Sequence, residues 1–215
     1  MNLKEKYPVK GWDDYVPCDT QLIKIYNRFR QQGHIESILL YGERGVGKTS
    51  FITALLNDFK IAESYGNYRK IDSKTADDKK RAEDQVLKID QALNTYWGHI
   101  IDDCHNKCVI HIDEIDQLKP NTFAFLKSHM EESEKHFVFV ATTNHIDRIP
   151  DPIKSRFAFV KEVKHTTPAV LRAKMEYLLQ REGWPYTDAQ LDRVVNNHYH
   201  DVRKLYHEVD FEFRP

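Results

Sequence analysis

A glycine-containing string in the first quarter of the chain constrains the fold more than any other feature. It fits the pattern G-x-x-x-x-G-K-[ST] with Gly42, Glu43, Arg44, Gly45, Val46, Gly47, Lys48 and Thr49. An apolar run precedes the string, and a helical pattern opening at Ser50 follows it, which is the context in which such a string binds phosphate. Glycines let successive backbone N–H groups turn toward one anion, and the following helix adds its positive N-terminal end. The string therefore predicts a phosphate-binding loop; the alternative is a glycine-rich turn with an exposed lysine.

This pattern assigns roles to two side chains of the string. Lys48 is expected to reach the β- and γ-phosphates of a nucleoside triphosphate, and the hydroxyl of Thr49 is expected to ligate Mg²⁺. Two acids follow the apolar run at residues 108–112, and at the end of a parallel strand both would face the crevice where ligands bind. We predict that Asp113 holds Mg²⁺ through water and that Glu114 polarises the attacking water. An Asp-Glu pair alone could simply start a helix, but with the loop upstream it predicts a nucleotide-hydrolysing site.

Composition excludes several classes of protein. The 215 residues carry 32 Lys and Arg against 33 Asp and Glu, a formal net charge of −1, so any nucleic-acid surface must be a local patch. No stretch approaches the ~20 apolar residues of a membrane span, and the N-terminus lacks an apolar signal core. Three cysteines are too few for a disulfide scaffold. Membrane, secreted, fibrous and disordered classes are excluded, and we expect a cytoplasmic location.

Apolar runs alternate with helical patterns up to about residue 162, which favours βαβ units and a parallel sheet. The runs span residues 37–41, 108–112, 136–141 and 157–160, with a weaker one at 68–71. Beyond residue 162 the pattern is helical, with predicted caps at Thr167, Thr187 and Asp201 and a helix stop at Gly183. We therefore predict an α/β domain at 1–162 and a small all-helical domain at 163–215.

Further short strings resemble those of the AAA+ ATPases, and within them the clamp-loader ATPase subunits of replication, including phage versions, over nearly the whole chain. The strings are Val138–Asn144, Ser155-Arg156-Phe157 and Asp201-Val202-Arg203-Lys204, in that order. The resemblance implies a P-loop sheet flanked by helices, a helical lid and ATP hydrolysis. It implies that Asn144 lies beside the γ-phosphate and that Arg156 reaches the γ-phosphate of a neighbouring subunit. It also implies that Arg203 closes over the ATP of its own subunit.

The N-terminal stretch from Glu5 to Val16 resembles the family's segment beside the adenine, although the arginine before the proline is missing. The resemblance implies an adenine-facing edge formed by Tyr7, Pro8 and Val16. Phe157 stands where the family has a cysteine after the serine–arginine pair.

The resemblance also implies partners. An arginine supplied in trans requires an oligomer of identical or related AAA+ subunits, and the family acts on primer–template DNA and a sliding clamp. Clamp-loader subunits continue into a helical collar, whereas this sequence stops at Pro215. We expect either a collar trimmed from a longer protein or assembly through AAA+ modules alone. Two alternatives stay open: another DNA-remodelling AAA+ ATPase such as a helicase loader, and a nucleotide-bound scaffold that does not hydrolyse ATP.

Two other groups of residues invite interpretation. Lys79, Lys80 and Arg81 lie where clamp loaders hold DNA phosphates, and we predict backbone contacts for them. Interspersed acids make a solvated mixed-charge helix the alternative. A zinc site on residues 104–111 would need Cys108 and His111, but alternate residues of a buried strand do not converge on one ion.

Overall fold

The structure is a computed structural model that describes residues 2–16, 19–61, 68–73, 81–97, 107–132 and 134–215. Within these ranges, five parallel strands form one sheet in the order β2-β3-β4-β1-β5. They are β1 (Ile38–Tyr41), β2 (Tyr68–Asp72), β3 (Cys108–Asp113), β4 (Phe137–Thr143) and β5 (Phe159–Glu162). The predicted parallel sheet is confirmed, and the weak run at 68–71 forms β2. The last strand begins two residues later than predicted, because Phe157 packs into the core before the strand starts.

Nine helices accompany these strands in the part of the chain that the structure describes. They are α1 (Leu3–Lys6), α2 (Thr20–Gln32), α3 (Lys48–Asp58), α4 (Arg81–Trp97), α5 (Pro120–Glu132), α6 (Asp151–Lys154), α7 (Pro168–Glu182), α8 (Asp188–His198) and α9 (Val202–Phe213). Three predicted helix ends are confirmed: Thr187 forms a capping box with Gln190, Asp201 caps α9, and Gly183 follows α7 with φ +68°. Thr167 is at the N-cap position of α7, but its side chain makes no capping hydrogen bond. Such caps can be predicted because they join atoms within a few residues of one another.

The chain divides into two compact units, of which one contains the sheet. This sheet unit comprises Asn27–Gly42 and Phe59–Glu162. Every residue of β4 is buried, and β3 is buried up to Asp113, as expected for central strands of a parallel sheet. Side chains of α4, α5 and α6 pack with the strands in one continuous apolar core.

A buried glutamine on α4 organises the connections around this core. Gln85 is fully buried and its amide nitrogen donates to the carbonyls of Ser73 (2.7 Å) and Gln117 (3.1 Å). Its amide oxygen accepts from Lys119 N (3.1 Å) and Thr122 Oγ1 (3.2 Å). Since a buried polar group is costly when unpaired, this fully bonded amide fixes the segments that follow β2 and β3 against α4.

The second unit, the helical unit, comprises Met1–Tyr26, Glu43–Asp58 and Val163–Pro215. Its core is formed by α7, α8 and α9 with Leu3 of α1, whose backbone N–H donates to Asp210 Oδ1 (3.0 Å). One boundary between the units, after Glu162, falls where the sequence places a domain boundary. The N-terminal residues and 43–58 group with the C-terminal helices. No helix among the described residues has the length and apolarity needed to cross a bilayer.

Candidate functional site

The glycine loop follows β1 directly and has a backbone that only glycine adopts easily. Gly42, Gly45 and Gly47 have φ values of +139°, +82° and +97°, in the region where a Cβ atom is strained. Helix α3 starts at Lys48, so the loop ends at the positive end of a helix. Alternating backbone conformations of this kind direct N–H groups toward one concavity, which is the geometry of an anion-binding nest.

The side chain of Lys48 lies against this loop. Lys48 is only 8% exposed, and its Nζ donates to the carbonyl of Glu43 at 2.7 Å. The next residue, Thr49, is exposed. A shielded ammonium group beside a glycine nest, followed by an exposed threonine, can bind a phosphate chain and present an oxygen ligand to a cation.

The loop is tied to the first turn of α9 within the helical unit. Val202 N donates to the carbonyl of Gly45 at 3.2 Å, and the carboxylate of Asp201 accepts from Arg203 N (2.9 Å) and Lys204 N (3.2 Å). A Cβ atom on Gly45 would lie 2.3 Å from Asp201 Oδ1. Arg203 is exposed on the first turn of this docked helix. The sequence predicts the cap at Asp201, but it contains no signal for the contact with Gly45.

A second contact joins the loop to the segment before α7. The carboxylate of Glu43 lies 3.1 Å from His165 Nε2, and the ring of His200 meets His165 edge-on with centroids 5.3 Å apart. His165 Nδ1 is buried and has no hydrogen-bond partner among the described residues. Both contacts hold the loop against residues 163–215.

Of the residues predicted to face adenine, Tyr7 and Val16 pack on the apolar core of α7, α8 and α9. The Tyr7 hydroxyl donates to Glu182, and Arg181 lies over its ring at 5.1 Å. Another aromatic residue, Tyr15, lies next to the glycine loop. A Cβ atom on Gly47 would be 3.7 Å from the ring of Tyr15. The role of Tyr7, Pro8 and Val16 stays a prediction, and Tyr15 is a neighbour of the loop that the sequence did not single out.

In the sheet unit, Thr142 joins the two acids at the end of β3. Its hydroxyl donates to Asp113 Oδ1 at 2.5 Å and accepts from the backbone N–H of Glu114 at 3.1 Å. Lys70 Nζ lies 3.3 Å from the other oxygen of Asp113. Burial alone would raise the pKa of Asp113, but the Thr142 hydroxyl and the Lys70 ammonium together hold that pKa below its usual value. Asp113 is therefore a charged carboxylate at neutral pH.

Glu114 has an unusual backbone for its residue type. Its φ and ψ are 51° and 53°, in the left-handed region, and it precedes the short 3-10 turn Ile115–Gln117. Non-glycine residues in this region carry strain that persists only where the surroundings impose it, and here the hydrogen bond to Thr142 does so. The predicted water-polarising acid is thus held in a fixed, strained position.

The end of β4 supplies more polar groups. Thr143 Oγ1 donates to Asp116 at 2.6 Å and accepts from His145 N at 2.9 Å. Asn144, the predicted sensor residue, comes directly after this buried strand and is half-buried. The sequence indicated a strand ending in polar residues. It did not show the partners of Thr142 and Thr143, because these partners, Asp113 and Asp116, lie at the end of another strand and just after it.

A buried histidine lies on the same strand as Asp113. His111 Nδ1 is 2.8 Å from the Tyr68 hydroxyl, while its Nε2 has no partner in the described ranges. Burial lowers the pKa of His111 to about 4, partly offset by the charge of Asp113, so the ring is neutral at physiological pH. No group of three or more His, Cys, Asp or Glu residues in the described ranges is placed to hold a metal ion. Residues 104–105, named for a zinc site, lie outside those ranges.

Arg156 is on the surface of the sheet unit. Its guanidinium pairs with Glu131, and its side chain is 40% exposed. The next residue, Phe157, is 6% exposed and belongs to the core, which accounts for a large apolar residue at that position. Lys79 and Lys80 lie outside the described residues, and Arg81 is the first residue of α4; their DNA contacts stay predictions.

Comparisons with known proteins agree with this fold. A family model described as ATPase family associated with various cellular activities (AAA) matches residues 38–165. The replication factor C small subunit of Methanosphaera stadtmanae is 24% identical over 206 residues, and replication factor C subunit 4 of Caenorhabditis elegans is 25% identical over 206 residues. Each match covers 93% of this chain and 59% of the relative, so the chain spans less than two thirds of their length.

A solved structure shares the fold at lower sequence similarity. The Holliday junction branch migration motor RuvB of Thermotoga maritima superposes with a TM-score of 0.72 at 17% identity. The superposition covers 93% of this chain and 63% of RuvB.

Gly45→Ala should weaken binding of a fluorescent ATP analogue about tenfold or more. An alanine at position 45 would raise the free energy of the folded state by roughly 1–2 kcal/mol because of its left-handed backbone. Its Cβ would also clash with Asp201, so either the glycine loop or the cap of α9 would have to move. Gly33→Ala is the matched control, since Gly33 has φ +76° but nothing within 4 Å of its added Cβ. That control should lose stability and keep its affinity; wild-type affinity in Gly45→Ala would contradict the packing described for the loop.

Thr142→Val should lower turnover by about tenfold. The change removes the hydroxyl that binds Asp113 Oδ1 and Glu114 N, and a buried hydrogen bond of this kind is worth ~1–3 kcal/mol. The change should also move the acid limb of the rate–pH profile to higher pH. Without the Thr142 hydroxyl the pKa of Asp113 rises, so its carboxylate is protonated earlier as the pH falls. Phosphate release measured across pH tests both effects, and Thr142→Ser should stay close to wild type. An unshifted acid limb would show that Thr142 does not set the charge of Asp113.

Proposed function

This chain belongs to the AAA family of ATPases, and we propose that it is an ATP-dependent subunit of the clamp-loader type. In this role it binds and hydrolyses ATP and thereby switches an oligomer on DNA during replication. The observation that carries the proposal is the match to replication factor C small subunits over 93% of the chain. The ordered strings at Asn144, Arg156 and Arg203 support the same conclusion.

The proposed ATP contacts follow from the loop geometry. The glycine nest and the Lys48 ammonium bind the phosphates, and the loop residues 42–50 form the phosphate-binding segment. The ties from Gly45 to α9 and from Glu43 to His165 support a role for residues 163–215 as a lid, because they connect that segment to the loop. Arg203, on the first turn of α9, then closes over the triphosphate of its own subunit.

The residues fit a magnesium ion. Thr49 and Asp113 are the ligands we propose for it, through water in the case of Asp113. A charged carboxylate and an exposed hydroxyl are hard oxygen donors of the kind Mg²⁺ prefers. When bound, Mg²⁺ neutralises charge on the β- and γ-phosphate oxygens.

Hydrolysis then requires a positioned water molecule. Glu114 accepts a hydrogen bond from that water and orients it toward the γ-phosphate, and Asn144 holds the water or the phosphate from the end of β4. The strained backbone of Glu114 supports this assignment, since such strain concentrates at functional sites.

Arg156 is proposed to act on the ATP of a neighbouring subunit. Its exposure leaves it accessible to another chain, and its ion pair with Glu131 is of the surface kind, worth about 1 kcal/mol or less. A triphosphate carries far more charge than one carboxylate and can displace that partner. The active species is then an oligomer of AAA+ subunits, with primer–template DNA and a sliding clamp as its proposed partners.

Glu114→Gln should keep ATP binding and lower turnover by ~10²–10⁴, because it keeps the shape of the side chain and removes the charge that polarises water. Titration with a fluorescent ATP analogue measures binding, and phosphate release measures turnover. Glu132→Gln, a change of the same kind at an exposed position of α5, is the control and should leave both unchanged. Wild-type turnover in Glu114→Gln would remove Glu114 from its role.

Arg156→Ala should lower turnover of the assembled protein by ~10³–10⁵, since a trans-acting arginine neutralises charge in the transition state. Mixtures with wild-type protein should lose activity at each interface to which the variant contributes. Arg148→Ala, which removes another exposed arginine of the sheet unit, should behave as wild type. Full activity of a dilute wild-type monomer would contradict the trans assignment.

The overall proposal is tested by mass measurement in solution with a non-hydrolysable ATP analogue, with and without primed DNA and a candidate clamp. A multisubunit complex that forms only with nucleotide, and turnover stimulated by clamp and primed DNA, are the expected results. Assembly with DNA stimulation but without any effect of a clamp would favour a different DNA-remodelling ATPase. Absence of ATP binding by folded protein would refute the proposal altogether.

A further inference from the structure

We propose that the outer face of α1 and α7, with the end of α9, binds the sugar–phosphate backbone of nucleic acid. This basic–aromatic track consists of Lys6, Tyr7, Lys174, Tyr177, Arg181, Trp184 and Arg214. All of its residues belong to the helical unit, and none is assigned to nucleotide binding except Tyr7. The track is separate from residues 79–81 in sequence. It adds a second nucleic-acid surface to the proposed function, on which it rests for the class of its partner.

The track is continuous because each cation contacts a ring beside the next cation. Lys174 Nζ lies over the Tyr177 ring at 5.8 Å, and Arg181 donates to the Tyr177 hydroxyl at 3.0 Å. Arg181 also lies over Tyr7 at 5.1 Å, where Lys6 lies at 5.8 Å.

The same face continues past Lys6 to the end of α9. A cavity of about 480 Å³ has Lys6, Trp184 and Arg214 in its wall, and Arg214 lies over the Trp184 ring at 5.6 Å. Four cations and three rings therefore alternate along one surface.

The acids of this surface lie below its cations. Glu182, which binds Lys6, has a side chain only 9% exposed, and Asp210, which binds Arg214, is 16% exposed. Lys6 and Arg214 are 50% and 42% exposed. In both pairs the cation is the more exposed partner. A local excess of exposed cations favours a polyanion even on a chain with a net charge of −1.

The exposed ring favours nucleic acid over an acidic protein. Lys174 and Arg181 lie ~10 Å apart along α7 at 1.5 Å per residue, so both cations can contact phosphates of one strand. Tyr177 is 51% exposed and offers a ring on which a base can stack, a mode of binding that single strands use without sequence preference. An acidic protein surface would use the cations but would not need the exposed face of Tyr177.

The test measures binding of labelled single-stranded and duplex oligonucleotides of mixed sequence by fluorescence anisotropy, at several salt concentrations. The double variant Lys174→Gln/Arg181→Gln should weaken single-strand binding about tenfold and reduce the slope of log affinity against log salt by ~1.4, at ~0.7 per phosphate. Tyr177→Leu should weaken single-strand binding at least about fivefold, while Tyr177→Phe should keep most of it. Arg193→Gln is the matched control, because Arg193 is 59% exposed on α8 but lies outside the track.

Three results would overturn the proposal. They are an absence of oligonucleotide binding by wild-type protein, unchanged affinity and salt slope in the double variant, and a change in assembly mass with unchanged oligonucleotide binding. The last result would assign the face to contact with another protein. Titration with a fluorescent ATP analogue accompanies every variant. If the track variants bind both ATP and oligonucleotides as the wild type does, the role of the track is refuted and the proposed ATPase function is not.

Discussion

Parallel pairing of the central strands determines where the chemistry of the sheet unit can be. Because β1, β3 and β4 run in the same direction, Tyr41 lies beside Thr143 and Ile112 lies beside Ala141. Each strand then ends within a residue or two, so the start of the glycine loop, the two acids and Asn144 leave the sheet at one edge. An antiparallel strand in any of these positions would have sent its polar residues to the opposite edge. Fold and function are coupled through strand direction.

The features predicted from sequence are those that depend on neighbours along the chain. The glycine string, the caps at Thr187 and Asp201 and the apolar strands all reflect local backbone preferences, and the structure contains each of them. The bond from Thr142 to Asp113 joins residues 29 positions apart, and its existence depends on strand register. The contact of Gly45 with Asp201 depends on how α9 docks, which no local pattern encodes. The sequence accordingly predicted the local elements and left open the long-range contacts that hold them.

The pKa values of Asp113 and His111 are both lowered, and this makes the stability of the fold depend on pH. Lys70 and Thr142 keep the pKa of Asp113 low, while burial keeps His111 neutral with a depressed pKa. Acid is therefore unfavourable for the fold: between the ordinary pKa of histidine and about 4, the unfolded chain takes up a proton that folded His111 does not, and stability falls as the pH falls. The Nε2 of His111 has no partner among the described residues, and Glu114 has a left-handed backbone; the surrounding sheet must offset the free-energy cost of both.

The close approach of Gly45 to Asp201 means that these two positions, 156 residues apart in sequence, share one volume of space. Any redesign that transplants a bulkier loop into this scaffold has to shrink the residue that caps α9 as well. Conversely, a larger acid at position 201 would occupy the room left by the missing side chain of Gly45. Positions 45 and 201 must therefore be exchanged together, because a chimera that takes them from different parent proteins can place two side chains in the same space.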